Sequence, residues 1–144
     1  PEDWNWLEEH SIRITNSVRE INRVVLLLKP AALTPLKIRE AYCTRERLDL
    51  LRQADAIATK TLMEHDLMRD IFQLLVILLP ISEDGKGDSI VLRPVCSEDV
   101  MTAQFARLDW DLLNSLKQSL SNLPGIDAVF YDITHKPPAT FGWE

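Results

Sequence analysis

Residues 125–144 read GIDAVFYDITHKPPATFGWE, and the fold turns on how that line is divided. Ile126, Val129, Phe130, Tyr131 and Ile133 are β-branched or aromatic, so residues 126–133 read as a strand entered through the Pro124-Gly125 turn. Lys136-Pro137-Pro138 must leave that strand, because neither proline can donate a ladder hydrogen bond. Two prolines with φ fixed near about −65° predict an extended, stiff segment, and the lysine before them becomes a cation whose direction the backbone sets. Phe141, Trp143 and a terminal carboxylate beside Glu144 predict a tail that is placed, not frayed.

Upstream of this strand, residues 110–123 carry Leu112, Leu113, Leu116 and Leu120 at helical spacing and form the last amphipathic helix. The chain opens in the same way. Trp4, Leu7, Ser11, Ile14 and Val18 mark a helix with Asp3 as its cap, and residues 21–28 follow as an apolar strand. Shifted by about 105 residues, the opening overlays the end: Leu7 falls on Leu112, Ile21 on Ile126 and Val24 on Val129, with Asp3-Trp4 echoed by Asp109-Trp110. That echo predicts a duplication.

Between the two copies, residues 36–42 read as an edge strand, and Thr44 caps a helix over residues 45–64 whose apolar stripe is Leu48, Leu51, Ala54, Ile57 (or Ala58) and Leu62. A turn at residues 67–70 leads into residues 72–81, apolar enough to read as a central strand buried on both faces. Residues 83–88 (EDGKGD) form a polar loop, and residues 89–96 return as a strand. Residues 97–103 read as a turn or short helix. The sum is a two-layer α+β domain, with helices packed on one face of a mainly antiparallel sheet.

Composition narrows the functional classes. The chain has 144 residues and a net charge of −6, which argues against non-specific nucleic-acid binding. No run approaches the ~18 apolar residues that span a bilayer, so no membrane role is expected. Cys43 and Cys96 follow no disulfide or CxxC spacing and read as reduced thiols of a cytoplasmic protein, and three scattered histidines make no metal set. Gly85-Lys86-Gly87 lacks the spacing and following helix of a phosphate loop. With no activated cysteine and only four glycines, the chain is expected to bind rather than to catalyse. It opens on Pro1 rather than methionine and is expected to be part of something larger.

Tyr131-Asp132-Ile133-Thr134, then Lys136-Pro137-Pro138-Ala139-Thr140 and Trp143-Glu144, resembles the carboxy-terminal end of GMP synthase (glutamine-hydrolysing). Leu92-Arg93-Pro94-Val95, the run Asp99-Val100-Met101-Thr102-Ala103 and Leu50-Leu51-Arg52-Gln53-Ala54-Asp55 are similar to that family's preceding segments. The resemblance, most of all to the form with a duplicated dimerisation subdomain, implies that residues 1–30 end a first subdomain and residues 31–144 form a second that dimerises and binds xanthosine monophosphate (XMP). It implies a homodimer, upstream amidotransferase and ATP-pyrophosphatase domains, and ATP and magnesium used there, with no cofactor in this chain. It implies XMP contacts at Lys136 and Gln73. Where the family has an acidic residue before the final Trp-Glu, this chain has Gly142, which weakens base or ribose recognition or passes the task to Glu144. The alternative function is a self-association module that binds no nucleotide.

Overall fold

A threonine and a stripe of small and aliphatic side chains set the longest helix. Thr44 Oγ1 accepts the N–H of Arg47 at 3.2 Å, and helix α2 runs over Arg45–Glu64 with Ala54, Ala58 and Leu62 fully buried. In the computed structural model, which describes residues 3–97, 101–140 and 142–143, α2 is one of three helices. The order is α1 (Trp4–Ser17), β1 (Val25–Lys29), β2 (Lys37–Ile38), α2, β3 (Gln73–Leu79), β4 (Ile81–Ser82), β5 (Asp88–Cys96), β6 (Gln104–Phe105), α3 (Trp110–Ser121) and β7 (Ile126–Asp132).

The main sheet runs β1-β7-β5-β3, with β6 added beside the end of β5. β7 pairs antiparallel with β1 and parallel with β5, while β5 and β3 pair antiparallel. Ile90, Leu92, Val129 and Tyr131 face the helices and pack with Leu113, Leu116 and Leu120. Each such fully buried aliphatic side chain contributes about 1.5–3 kcal/mol. Val91, Ala128 and Phe130 point the other way, joined by Val25, Leu27, Ile77 and Leu79, with no helical residue among the partners described. This is the expected α+β architecture, two layers with the helices on one face, and its sheet is mixed through the single parallel pair β5–β7.

Several expectations need correction. Residues 72–81 do not form a central strand: β3 lies at the sheet edge, and β5 and β7 occupy the middle. Its side chains are apolar on both faces because Leu74 and Leu78 meet the helical layer while Ile77 and Leu79 meet the opposite cluster. β1 starts at Val25 rather than Ile21. The preceding residue, Val24, gives its carbonyl to the Ile133 N–H (3.0 Å) and its N–H to Thr134 Oγ1 (2.8 Å), beyond the end of β7. Of residues 36–42 only Lys37 and Ile38 pair, with β4, in a separate two-stranded sheet. The segment 97–103 lies partly outside the described residues, which resume at Met101.

The two Asp-Trp pairs do equivalent work. Asp3 accepts from the Asn5 N–H and Asp109 from the Asp111 N–H, so each aspartate caps its helix in the same way. The indoles of Trp4 and Trp110 stack with centroids 4.4 Å apart and planes 16° from parallel, and Trp4 Nε1 donates to the Leu108 carbonyl at 3.1 Å.

Candidate functional site

The chain leaves β7 at Asp132 and crosses the end of the sheet where the parallel strands β5 and β7 finish. Lys136 pairs with Ala103 through both backbone groups, at 3.0 and 2.8 Å. The segment after it is not the extended rod expected of two prolines. It is a turn at residues 137–139, closed by the Ala139 N–H on the His135 carbonyl at 3.1 Å, with Ala139 buried.

One guanidinium holds both ends of that turn. Arg93 is fully buried and donates to the Thr134 carbonyl at 3.0 Å and to the Thr140 carbonyl at 2.8 Å. It also meets Asp132 Oδ2 at 3.1 Å. Burial pulls the Arg93 guanidinium below the usual arginine range, and the Asp132 carboxylate opposes that pull. Asp132 gathers three more donors: Arg23 at 3.2 Å, the Trp143 indole at 2.7 Å and the Thr134 N–H at 2.9 Å. A buried carboxylate with this many partners satisfies the rule that interior charge must be paired and hydrogen-bonded.

Beside the turn lies a cleft of about 820 Å³ whose lining includes Asp70, Cys96, Ser97, Gln104, His135 and Lys136. That volume lies in the range of small-molecule sites, about 300–1,000 Å³. Lys136 is half-buried there and brings a cation, Asp70 brings a carboxylate, and Ser97 and Gln104 bring neutral hydrogen-bonding groups. The His135 ring is fixed on three sides: its Nδ1 faces the Phe105 N–H at 3.2 Å, its Nε2 lies 2.6 Å from Glu8 Oε1, and it stacks on Phe105 at 4.7 Å. Burial, helped by the Asp70 charge, pushes the Cys96 thiol up, so it stays protonated at neutral pH and is a poor nucleophile. The described lining thus offers one cation, one carboxylate, neutral hydrogen-bonding groups and a thiol that is a poor nucleophile. No group of three or more histidine, cysteine, aspartate or glutamate side chains suited to a metal occurs among the described residues.

The three site residues read from sequence fall in different places. Lys136 lines the cleft. Gln73 opens β3 opposite Val95, exposed, and the register puts it with Arg93 and Val91 on the helix-free face; it is not among the described residues that line the cleft. Glu144 lies outside the described residues. Glu8, Arg23 and His135 were not legible as site residues, since their partners are up to 127 positions away in sequence. Arg93 carried one signal, a charge inside the apolar run Ile90-Val91-Leu92-Arg93-Pro94-Val95.

Comparison with known proteins bears on the same residues. The family model "GMP synthase C terminal domain" matches residues 60–143, more than half of the chain. A "Probable GMP synthase [glutamine-hydrolyzing]" of Leptospira interrogans is 38% identical over 144 residues, covering 99% of this chain and 24% of the relative. A "GMP synthase [glutamine-hydrolyzing]" of Streptomyces coelicolor is 46% identical over 110 residues, or 70% of this chain and 21% of the relative. That of Syntrophomonas wolfei is 42% identical over 107 residues. The chain thus spans no more than 24% of the length of these curated relatives. With its tail motifs, its α+β fold and a match that runs through α3 and β7 to Trp143, the chain belongs to the GMP synthase C-terminal domain family.

Proposed function

We propose that this chain is the XMP-binding and self-associating C-terminal portion of a GMP synthase, the ligase that aminates XMP to GMP with ATP and glutamine-derived ammonia. In this reading Lys136 meets the nucleotide phosphate, and Gln73, on the helix-free side, and Glu144 contact its base or ribose. ATP, magnesium and the amidotransferase chemistry belong to domains upstream of these residues, residues 1–30 end a first dimerisation subdomain, and the chain alone is inactive. The protein works in the cytoplasm as a homodimer, in keeping with its free thiols Cys43 and Cys96.

The observation that carries the reading is Lys136 beside a ligand-sized cleft, on a turn that Arg93 and the Ala103 pairing hold in one shape. A phosphate brings nearly two negative charges, and an ammonium on a pre-ordered backbone meets it with little further loss of entropy. A second reading, self-association without nucleotide, is favoured by Gly142, which offers no carboxylate where the resemblance expects an acid; its backbone carbonyl accepts from Thr140 Oγ1 at 3.0 Å and from Arg23.

One titration separates them. In calorimetry with the full protein, XMP should bind more tightly than xanthosine, and Lys136→Ala should lower that advantage by about tenfold, the value of a charge-assisted contact, without changing the oligomeric state. Equal affinity for the nucleotide and the nucleoside in the unaltered protein would leave the self-association reading alone.

A further inference from the structure

The turn that carries Lys136 is gripped from both flanks by side chains of residues 8–23, far away in sequence. Glu8, on α1, takes the Nε2 of His135 at 2.6 Å, directly before Lys136. The Phe105 N–H occupies Nδ1, which fixes the neutral tautomer with its proton on Nε2, aimed at the carboxylate. Arg107 holds Glu8 in turn and is itself held by Asn5 Oδ1 at 2.8 Å. On the far flank Arg23, just ahead of β1, donates to the Thr140 carbonyl at 3.2 Å and to Thr140 Oγ1 at 3.0 Å. It also meets Asp132 at 3.2 Å and lies over the Trp143 ring, 5.4 Å from its centre. Both residues lie outside the stretch 60–143 that matches the family model.

We propose that Glu8 and Arg23 are positioning residues for Lys136: the opening segment braces the turn at His135 and at Thr140, so that the lysine is presented to the cleft in one direction. The proposal rests on the reading of Lys136 as the phosphate contact. Arg93 and the Ala103 pairing set the shape of the turn. Each contact from Glu8 and Arg23 removes part of the motion that remains at its own flank, which a phosphate would otherwise have to order on binding. Fixing both flanks beforehand removes that cost and returns it as affinity. Neither side chain touches the ligand in this scheme; each acts through the backbone on its side of Lys136.

The two residues carry opposite charges, which separates bracing from a simple electric field. Removing Glu8 takes away a negative charge near Lys136, so a field effect alone would tighten phosphate binding. Bracing predicts the reverse. Replacing Arg23 by lysine keeps the charge but loses the planar fork that reaches Thr140 and Asp132 together. A field effect leaves phosphate binding unchanged there, and bracing weakens it.

The experiment is calorimetric titration of the full protein with XMP and with xanthosine, reading the ratio of the two affinities well below each variant's melting temperature. Glu8→Ala and Arg23→Lys should each lower the ratio by about five- to tenfold, the scale of coupling between neighbouring groups. Glu8→Gln, whose amide oxygen still accepts from Nε2, should restore it to within about twofold of the unaltered protein. In a Lys136→Ala background neither change should lower the ratio further. A merely structural role would lower the melting temperature and leave the ratio alone. An unchanged or raised ratio in Glu8→Ala overturns the assignment of Glu8, and an unchanged ratio in Arg23→Lys overturns that of Arg23. Should Glu8→Ala fail to fold, Glu8→Asp, one methylene too short for Nε2, carries the same test. Failure of the underlying reading looks different: the unaltered protein then shows no preference for XMP over xanthosine.

Discussion

Replacing Asp132 by asparagine tests how the tail is held. The carboxylate is fully buried; Oδ2 accepts from Arg93, Arg23 and the Trp143 indole, and Oδ1 from the Thr134 N–H. Asparagine keeps the shape but offers one oxygen and one NH2. If the oxygen takes the Oδ2 place, the NH2 faces the Thr134 N–H, donor against donor. Turned over, it faces two guanidinium groups and an indole. In either orientation Arg93 loses the Asp132 charge, and breaking a buried ion pair costs about 3–5 kcal/mol. Arg23 is partly open to water and recovers some hydration, so the expected loss is about 3–4 kcal/mol. A chain of 144 residues unfolds with an entropy of roughly 0.3 kcal/mol/K, so the melting temperature should fall by about 10–13 °C. Urea titration and calorimetry read the global term. Amide exchange reads the local one, with the Thr134 and Ala139 N–H groups losing protection first. A loss below about 1 kcal/mol, or a Thr134 amide protected as before, would refute the reasoning.

Three further changes reach other links of the structure. Trp4→Ala removes the indole stack on Trp110 and the hydrogen bond to Leu108, and should cost about 3 kcal/mol in urea titration with loss of near-ultraviolet dichroism; no change in either means the stack is idle. Gly125→Ala has room for its methyl, the nearest atom being Leu50 Cδ2 at 3.9 Å, but φ is +91°, so backbone strain alone should cost about 1–3 kcal/mol; a neutral result would mean that the turn relaxes. At Glu8, burial works against the charged form, yet the hydrogen bond from His135, together with the charge and hydrogen bond of Arg107, brings its carboxyl below the ordinary value of 4.5. A lowered folded value means that its contribution is present above 4.5 and disappears as the pH falls through the folded value. Melting temperatures between about pH 5.5 and 3.5 should therefore fall less steeply in Glu8→Gln than in the unaltered protein, and parallel curves would dismiss the pairing.

What could be read from the sequence follows what is local. Thr44 and the stripe below it placed α2 over Arg45–Glu64, because caps and helical spacing act within a few residues. The β-branched and aromatic run placed a strand over residues 126–133 for the same reason, and β7 runs Ile126–Asp132. The position of β3 escaped because side-chain pattern reports on the faces of a strand and is silent about its edges. Leu74 to Leu79 are apolar above and below, and nothing in that run says whether a neighbour stands on one side or two. The turn at Lys136 was legible as chemistry but not as shape: its closure depends on Arg93, some forty positions earlier, donating to both of its ends. His135 looked like one of three scattered histidines until Glu8 and Phe105 came to stand at its two nitrogens.

The strand order has a temporal side. β7 is the last of the described strands to be made, yet it stands between β1, some hundred residues earlier, and β5. On a ribosome the β3–β5 hairpin can form early, while β1, the first of these strands to emerge, waits longest, its apolar Val25, Leu27 and Leu28 without their β7 neighbour until residues 126–132 clear the tunnel. Such long-range closure slows folding and leaves an uncovered strand exposed to wrong partners. A nascent chain stalled before Ile126 should thus be held by a chaperone and be readily digested, and should become resistant only when residues 126–132 arrive.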